Sequence, residues 1–393
     1  MIGIVDYYGF SISAILVMLV SYLLIYKVVE KGTLSLLLVV IKFIFFIAYF
    51  TIWCRHNPIL LKDDLVYFNQ SLSVFEKGKD FGFFISLQGT EYMASLAGGW
   101  HFGYFIYNII AFHLFGPYYF APVLMNVFFS VVTSVVFYKM LRVARVSKSF
   151  SIFAFILFLL HWDIISWSSF INLKDTFVLF LTVFALYSLV VLKEKGFRLI
   201  NIALFCLILF VFQFIRFYFA YFLLVIAVVY CLLSQMYKIK SKWTDWYMKL
   251  AVLFVIPAGF YFVFIHLYSD RLQELGEMSN PLKGILRYLL TPIPFHIDPT
   301  YSFISLATSI YWIVMPLTLY GLYLFIKRYF RTLMPLLLLG GLLSVFYGSF
   351  AELQGPRHRI PLLCIIVLLQ ALGLWSLLVE LCKMTHISSK KGI

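Results

Sequence analysis

Two adjacent aspartates, Asp63 and Asp64, follow a long, almost uninterrupted apolar run in a chain that carries few charged residues. They begin the helix-like stretch DDLVYFNQSLSVFEKG, in which Asp63, Tyr67 and Gln70 would share one face at i, i+4 and i+7. A carboxylate on such a face can act as a general base toward a hydroxyl group. The alternative is helix capping, because acids stabilise the first turn of a helix.

A second acid stands beside a lysine in SWSSFINLKDTFVLFL, where Lys174 and Asp175 open a later apolar run. An ionisable pair at the boundary of a membrane segment is costly, which favours a functional role. Asp175 is therefore a third candidate catalytic acid, and Lys174 is a candidate substrate-binding cation. Capping of the following helix is the alternative here as well.

Basic residues form a third group of candidates. Arg357, His358 and Arg359 lie together in ELQGPRHRIPLL, and Arg216 interrupts two apolar runs in FQFIRFYF. The planar fork of donors on arginine suits phosphate oxygens, so these residues are candidate ligands for a phosphorylated substrate. For the Arg-His-Arg group the alternative is an anchor to ordinary anionic lipid, and for Arg216 it is an ion pair with an acid. Between them, LLTPIPFHIDPT at 289–300 has three prolines that could line a groove or form a rigid linker.

The composition indicates what holds these residues in place. The 393-residue chain is 63% hydrophobic and 12% charged, with a mean hydropathy of +0.97, which is typical of an all-α polytopic membrane protein. No polar stretch is long enough for a separate soluble domain, so residues 1–393 are interpreted as one integral membrane domain. The first apolar run lacks the basic region of a cleavable signal peptide and is expected to remain in the mature chain.

The five cysteines are scattered without metal-ligand spacing, so neither a disulfide framework nor a zinc site is expected. The net charge of +14 comes from short basic clusters between apolar runs, which does not indicate a nucleic acid partner. About 11 transmembrane helices are predicted, within a range of 10 to 13. They lie near 9–26, 34–53, 119–141, 151–166, 173–192, 199–216, 218–236, 247–268, 304–326, 333–350 and 360–381.

Charge predicts the orientation of these spans. With the N-terminus outside, most of the 31 Lys and Arg residues fall on the cytoplasmic side and most of the 17 acidic residues fall outside. This orientation predicts two large external loops, 54–118, which carries the paired aspartates, and 269–303. This orientation requires residues 101–116 not to cross, so they are predicted to form an amphipathic juxtamembrane helix at the outer interface.

Taken in order, these segments resemble the GT-C superfamily of membrane glycosyltransferases, in its bacterial surface-polysaccharide branch. DDLVY is similar to the acidic pair, followed after two residues by Tyr, in the first external loop of that family. The stretch 100–143 is similar to its juxtamembrane helix ending in Leu-Phe-Gly and the span that follows. NLKDTFVLFL resembles the Lys-Asp entry to a later span, and GPRHRIPLL resembles an Arg-x-Arg-x-Pro element before the last helices. The likeness covers most of 55–380, although the extra span before the aspartate loop departs from many members.

The resemblance implies transfer of a sugar from a polyprenyl-phosphate or diphosphate carrier to a lipid-linked glycan or other acceptor, with inversion, at the external face of a bacterial cytoplasmic membrane, in the assembly of cell-surface polysaccharide. Asp63 would be the general base. Asp64 would orient it or bind a divalent cation, and carboxylate ligands suit Mg²⁺ or Mn²⁺. Arg357 and Arg359, with Lys174 and Arg216, would neutralise the departing phosphate. Two alternatives remain: an O-antigen or capsule repeat-unit polymerase on the same scaffold, and a lipid-glycan flippase or transporter, which would have charged residues at mid-span.

Overall fold

The computed structural model describes residues 7–54, 59, 61–78, 83, 86–99, 102–196, 198–236, 242–259, 262 and 280–391. This part of the chain is helical and contains no β-strand, as expected from the apolar runs. The described residues do not include 269–279 of the predicted second external loop, which contain Asp270. They also do not include 55–58 at the start of the first loop.

The α-helices are α1 Tyr7–Val29, α2 Gly32–Ala48, α3 Lys62–Glu76, α4 Leu87–Ala97, α5 Gly103–Phe115, α6 Phe120–Val143, α7 Lys148–Leu159, α8 Trp162–Ser169, α9 Asp175–Lys195, α10 Leu199–Gln213, α11 Phe217–Met236, α12 Lys242–Leu250, α13 Pro281–Leu290, α14 Ser305–Arg328, α15 Phe330–Gly348 and α16 Leu363–Lys391. Two π-helical segments, Tyr49–Trp53 and Ala251–Val255, continue α2 and α12. Three 3-10 segments cover Pro299–Ile304, Ala351–Leu353 and Pro356–Leu362.

Eight helices in the described residues are long and apolar enough to cross a membrane. They are Tyr7–Val29, Gly32–Trp53, Phe120–Val143, Asp175–Lys195, Phe217–Ser234, Pro299–Arg328, Phe330–Gly348 and Pro356–Lys383. The pair α7 and α8, bent by 41°, raises the number to nine if it is one span. Within the described residues, the predicted spans 199–216 and 247–268 contain the shorter apolar helices Leu199–Gln213 and Trp246–Gly259. Residues 260, 261 and 263–268 of the second of these spans lie outside the described part of the chain.

The centre of the bundle is formed by α6 and α9, whose apolar segments are 83% and 72% buried. α6 packs against α1, α5, α7, α8 and α9. The helices α14 and α16 approach each other closely because both carry glycine. A Cβ on Gly321 would lie 1.8 Å from the Leu369 carbonyl oxygen, and one on Gly373 would lie 2.2 Å from that of Leu317. Small residues allow such backbone contact between membrane helices.

The predicted juxtamembrane helix 101–116 is observed as α5, but it is not amphipathic. Apolar residues surround it, and only Ile110, His113 and Leu114 are exposed. It is packed between α3 and α6 rather than lying on the surface, and the Gly103 amide donates to the Phe214 carbonyl at 2.7 Å. With 13 residues it extends about 20 Å, less than the roughly 30 Å of a bilayer core.

Contacts between segments agree with the charge-based assignment of sides. Four segments assigned to the cytoplasm meet at one end of the bundle, through Lys148–Glu30 at 2.8 Å, Arg145–Glu194 at 3.4 Å, and Lys193 Nζ to the Arg331 carbonyl at 2.5 Å. Segments assigned to the exterior are joined to one another by a separate set of ion pairs, described below. Segments predicted to lie on opposite sides of the membrane are therefore grouped separately in the bundle, and which group faces outward stays a prediction.

This arrangement predicts the outcome of cysteine labelling in intact cells. In a chain whose five native cysteines are replaced, a cysteine at the exposed position Gln88 in α4 should react with a membrane-impermeant maleimide. One at the exposed position Ser147, between α6 and α7, should react only after permeabilisation. The reverse pattern would invert the orientation and place the site described next in the cytoplasm.

Candidate functional site

A cavity of about 590 Å³ collects candidate residues from three distant parts of the sequence. We call it the Asp63 cavity. The α3 face formed by Asp63, Tyr67 and Gln70 points into it, as the helical spacing predicted. Lys174 and Arg357 enter from the start of α9 and from the 3-10 segment before α16. The remaining lining residues are Lys62, Val66, Ser95, Leu96, Ala97, Gly98 and Phe105.

An ion pair between Arg357 and Asp63 spans this cavity. Arg357 Nη1 donates to Asp63 Oδ2 at 2.5 Å, and the two side chains are 21% and 44% exposed. Lys174 Nζ lies 5.7 Å from the centre of the Tyr67 ring. Burial lowers the pKa of Lys174 to about 8, and the neighbouring Arg216 and Arg357 charges act in the same direction. The cavity thus pairs one carboxylate with two cations, a set of charges suited to an anionic ligand.

Asp64 faces the protein interior instead of the cavity. Its side chain is fully buried, the Tyr119 hydroxyl donates to Oδ2, and Oδ1 has no hydrogen-bond partner in the described part of the chain. Burial raises the pKa of Asp64 well above its usual value, which favours the neutral carboxyl. The adjacent aspartates therefore occupy different environments and do not converge on one cation. The described residues contain no group of three or more His, Cys, Asp or Glu able to hold a metal.

Asn172 fixes the loop that carries Lys174. It accepts from the Tyr104 hydroxyl at 2.8 Å and donates to Asn108 at 2.6 Å. Asn126 in α6 accepts from the Tyr107 hydroxyl at 2.8 Å and lies 3.4 and 3.3 Å from the carbonyl oxygens of residues 171 and 173. This network ties the loop to α5 and α6. These asparagines were not among the predicted site residues. Their positions within apolar runs did indicate such a network, because buried polar side chains need hydrogen-bond partners.

Asp175 and Arg216 form a buried ion pair outside the lining of the cavity. Arg216 Nη2 bonds Asp175 Oδ1, and the side chains are 3% and 0% exposed. Arg216 Nη1 also donates to the Tyr347 hydroxyl at 3.2 Å. The pair connects the first residue of α9 to the α10–α11 hairpin and to α15. In this structure the predicted catalytic Asp175 and the predicted phosphate ligand Arg216 neutralise each other.

Only one residue of the Arg-His-Arg group enters the cavity. Arg359 turns to the other side, where it donates to the Thr291 carbonyl at 2.9 Å, lies 3.7 Å from Asp163 Oδ2 and stacks 4.1 Å from the centre of the Tyr311 ring. His358 packs against the Tyr347 ring at 5.0 Å. The 3-10 segment Pro356–Leu362 thus gives three consecutive side chains three different environments. Arg357 remains the predicted phosphate ligand that is positioned for that role.

Lys42 is a buried lysine that was not among the predicted site residues. It lies near the middle of the span Gly32–Trp53 and is fully buried, with Nζ 3.4 Å from Ser168 Oγ in α8. Nearby, His161 Nε2 lies 3.0 Å from Gln370 Oε1. The signal was visible in the sequence, because Lys42 is the one charged residue between 32 and 53.

No protein-family model, curated protein or solved structure matches the chain. The chemistry of the site is therefore argued from its geometry. A partly exposed carboxylate within hydrogen-bond distance of an arginine, beside a lysine and a tyrosine, can accept a proton from a hydroxyl group while the cations bind phosphate oxygens.

The environment of Asp64 gives a stability prediction. Asp64→Asn keeps an acceptor for the Tyr119 hydroxyl and introduces no charge, so the free energy of unfolding should change by less than about 1 kcal/mol. Tyr119→Phe removes the donor and leaves a buried carboxyl without this bond, and should cost about 1–3 kcal/mol. Thermal unfolding in detergent measures both. Equal destabilisation by the two substitutions would indicate that Asp64 is a required carboxylate.

Proposed function

We propose that the protein is a membrane glycosyltransferase of the GT-C type, which transfers a sugar from a polyprenyl-phosphate carrier at the external face of a bacterial cytoplasmic membrane. The observation that carries the proposal is the Asp63 cavity, in which Asp63 pairs with Arg357 beside Lys174. The order of the sequence motifs, from DDLVY to GPRHRIPLL, supports the same family. The proposed fold counts α10 and Trp246–Gly259 as spans in addition to the nine candidates, which gives eleven.

In the proposed reaction an acceptor hydroxyl attacks the anomeric carbon of the carrier-linked sugar. A carbon–oxygen bond forms to the acceptor, the bond to the phosphate oxygen breaks, and the configuration inverts. Asp63 takes the hydroxyl proton. The phosphate leaves with the bonding electrons, and Arg357 and Lys174 compensate its charge. Asp64 is buried, accepts a hydrogen bond from the Tyr119 hydroxyl and takes no part in proton transfer.

The ion pair has a consequence for this mechanism. The Arg357 guanidinium occupies Asp63 Oδ2, so this oxygen is not free to accept the hydroxyl proton while the pair is formed. A phosphate that enters the cavity competes with Asp63 for the Arg357 guanidinium. Donor binding would therefore release Asp63 at the moment when a base is needed. Without donor, Asp63 and Arg357 form an ion pair, and the phosphate of the bound donor separates them.

Replacement of Asp63 by Asn tests this role. Turnover should fall by about a hundredfold or more, because Asn cannot accept the proton. The affinity for a polyprenyl phosphate should rise at the same time, since Arg357 loses its competing carboxylate. Both quantities can be measured with the purified chain in nanodiscs. Asp64→Asn is the matched control and should change neither. Unaltered turnover by a folded Asp63→Asn protein would remove Asp63 as the base.

Lys174 makes donor binding depend on pH. A lysine with a pKa of about 8 is charged below that pH and loses its proton above it. The second phosphate ionisation is already complete, since its pKa is about 6. The Kd for a polyprenyl phosphate should therefore rise by about tenfold between pH 7 and 9.5. Lys174→Arg should abolish this rise because arginine stays charged. A flat profile in the unaltered protein would place Lys174 outside the phosphate site.

Two other functions compete with this one. A repeat-unit polymerase would use the same cavity for a larger lipid-linked glycan. A flippase or transporter is favoured by one observation, the buried Lys42 at mid-span beside the bent pair α7 and α8. Analysis of lipid-linked glycans in cells with and without the protein separates the three. Loss of the protein should cause a single-sugar carrier to accumulate for the transferase and a repeat unit for the polymerase, whereas unchanged glycans with altered transport support the third.

A further inference from the structure

The Asp63 cavity has a charged end and an uncharged end. Its charged lining residues are Lys62, Asp63, Lys174 and Arg357. The other described residues of the lining carry no charge, and they are Val66, Tyr67, Gln70, Ser95, Leu96, Ala97, Gly98 and Phe105. Gln70 is two helical turns beyond Asp63 on α3, about 10 Å further along the helix axis. The proposed reaction uses the charged end, so the part of the cavity around Gln70 is available for the rest of a substrate.

The C-terminus of α4 forms one wall of the uncharged end. Residues 95–97 are its last turn, and Gly98 ends the helix with a φ of 66°. The last carbonyl groups of a helix have no amide partner within it, and this end of the helix dipole is negative. Ser95 Oγ donates to the Tyr92 carbonyl at 2.7 Å, so its oxygen remains free to accept. This wall therefore offers hydrogen-bond acceptors without a charged group.

Gln70 is the polar side chain of α3 at the same end. It lines the cavity, and its Oε1 is buried without a hydrogen-bond partner in the described part of the chain. A half-turn about the last side-chain torsion exchanges the oxygen acceptor and the nitrogen donor of a carboxamide. A sugar hydroxyl both donates and accepts. It can therefore bond Gln70 in either orientation of the amide.

Aromatic rings lie between the two ends. Tyr67 is on the same face of α3, and its ring packs edge-on against Tyr104 at 5.0 Å and Phe105 at 5.4 Å. Ser71 Oγ donates to the Phe105 carbonyl at 3.3 Å, which holds α3 against α5. Aromatic surface with a few fixed polar groups is the usual lining of a site for an uncharged organic ligand. The stretch from Tyr67 to Gln70 has this character.

The charged end is held from behind. Arg357 belongs to the 3-10 segment Pro356–Leu362, which is tied to residues 289–292, where α13 ends. Carbonyl groups of these residues accept hydrogen bonds from three side chains, Tyr311 at 3.0 Å, Arg359 at 2.9 Å and Trp312 at 3.1 Å. Both ends of the cavity thus have hydrogen-bonded walls, and the separation between the phosphate ligand Arg357 and Gln70 is fixed by the fold.

We infer that the transferred sugar is uncharged, and that Gln70 determines which sugar is accepted through a hydrogen bond to a ring hydroxyl. This inference rests on the proposed function, because Asp63 and Arg357 define where the acceptor hydroxyl and the phosphate lie. The sugar then extends over Tyr67 toward Gln70. A hydrogen bond to the base, the bond being formed and one pyranose ring together span this separation. A charged substituent would enter the uncharged end, where burial without an opposite charge is unfavourable.

Binding of synthetic carriers tests the charge of the sugar. The full chain in phosphatidylcholine nanodiscs is titrated with polyprenyl methyl phosphate, which has one phosphate charge and no sugar. It is also titrated with polyprenyl phosphates of glucose, galactose, mannose, rhamnose, N-acetylglucosamine, glucosamine and glucuronic acid, and native mass spectrometry gives each Kd. At least one neutral sugar should lower the Kd by about tenfold relative to the methyl phosphate. Glucosamine and glucuronic acid should not.

Substitution of Gln70 tests its role in specificity. Gln70→Leu removes the hydrogen-bonding groups, so it should cancel the tenfold gain from the preferred sugar and leave the Kd of polyprenyl methyl phosphate unchanged. The unaltered protein should bind one deoxy form of that sugar about tenfold more weakly. Gln70→Leu should not distinguish this form from the parent, which is the result of a double-mutant cycle for a direct contact. Gln70→Glu should improve binding of the glucosamine carrier, because its carboxylate supplies the opposite charge.

Controls separate this contact from a loss of structure. Gln88→Leu changes an exposed glutamine of α4 outside the cavity lining and should leave every Kd unchanged. The melting temperature of Gln70→Leu should equal that of the unaltered protein, since the buried Oε1 has no bond to lose in the described part of the chain.

Three results would overturn the inference and leave the proposed function standing, provided that the carriers bind. They are an equal gain from a charged sugar, no gain from any neutral sugar, and retained discrimination against the deoxy form in Gln70→Leu. Failure of every carrier to bind, polyprenyl methyl phosphate included, would refute the proposed function and the inference with it.

Discussion

The buried ion pair between Arg216 and Asp175 is the interaction on which the candidate site depends. Two charges in an apolar bundle are tolerable only when they neutralise each other, and removal of either partner leaves an uncompensated buried charge that costs about 3–5 kcal/mol. The pair joins the first residue of α9 to the α10–α11 hairpin, and Tyr347 of α15 bonds the same guanidinium. Since Lys174 directly precedes Asp175, the direction of the lysine into the Asp63 cavity follows from this contact.

Neighbouring residues in this protein repeatedly have different tasks. Asp63 lines the Asp63 cavity, whereas Asp64 is buried against Tyr119. Arg357 reaches the same cavity, whereas Arg359 turns away from it and donates to the Thr291 carbonyl. The reason is geometric, because successive side chains point about 100° apart on an α-helix and about 120° apart on a 3-10 helix. A run of like residues in the sequence is therefore seldom one binding cluster in space. Its members are divided among the surfaces that the helix contacts.

This division explains what the sequence could predict. The helical class followed from composition. Eight of the predicted spans, or nine if the bent pair α7 and α8 is one span, followed from hydropathy, since both depend on local properties of the chain. The common face of Asp63, Tyr67 and Gln70 followed from helical spacing. The structure pairs Arg216 with Asp175, and α5 lacks the amphipathic character predicted for it. Both depend on which helices are neighbours in space, and no periodicity records that. The network of Asn108, Asn126 and Asn172 was missed for the same reason.

The anchoring of residues 289–292 has a further consequence for how this part of the chain can change. Irregular segments usually accept insertions and deletions, because their backbone polar groups bond to water. Here three carbonyls within four residues each accept from a different side chain, Tyr311, Arg359 and Trp312. Adding or removing one residue would shift every later carbonyl away from its donor. The segment from the end of α13 to Pro292 is therefore fixed in length, although Thr291 and Pro292 lie outside regular secondary structure.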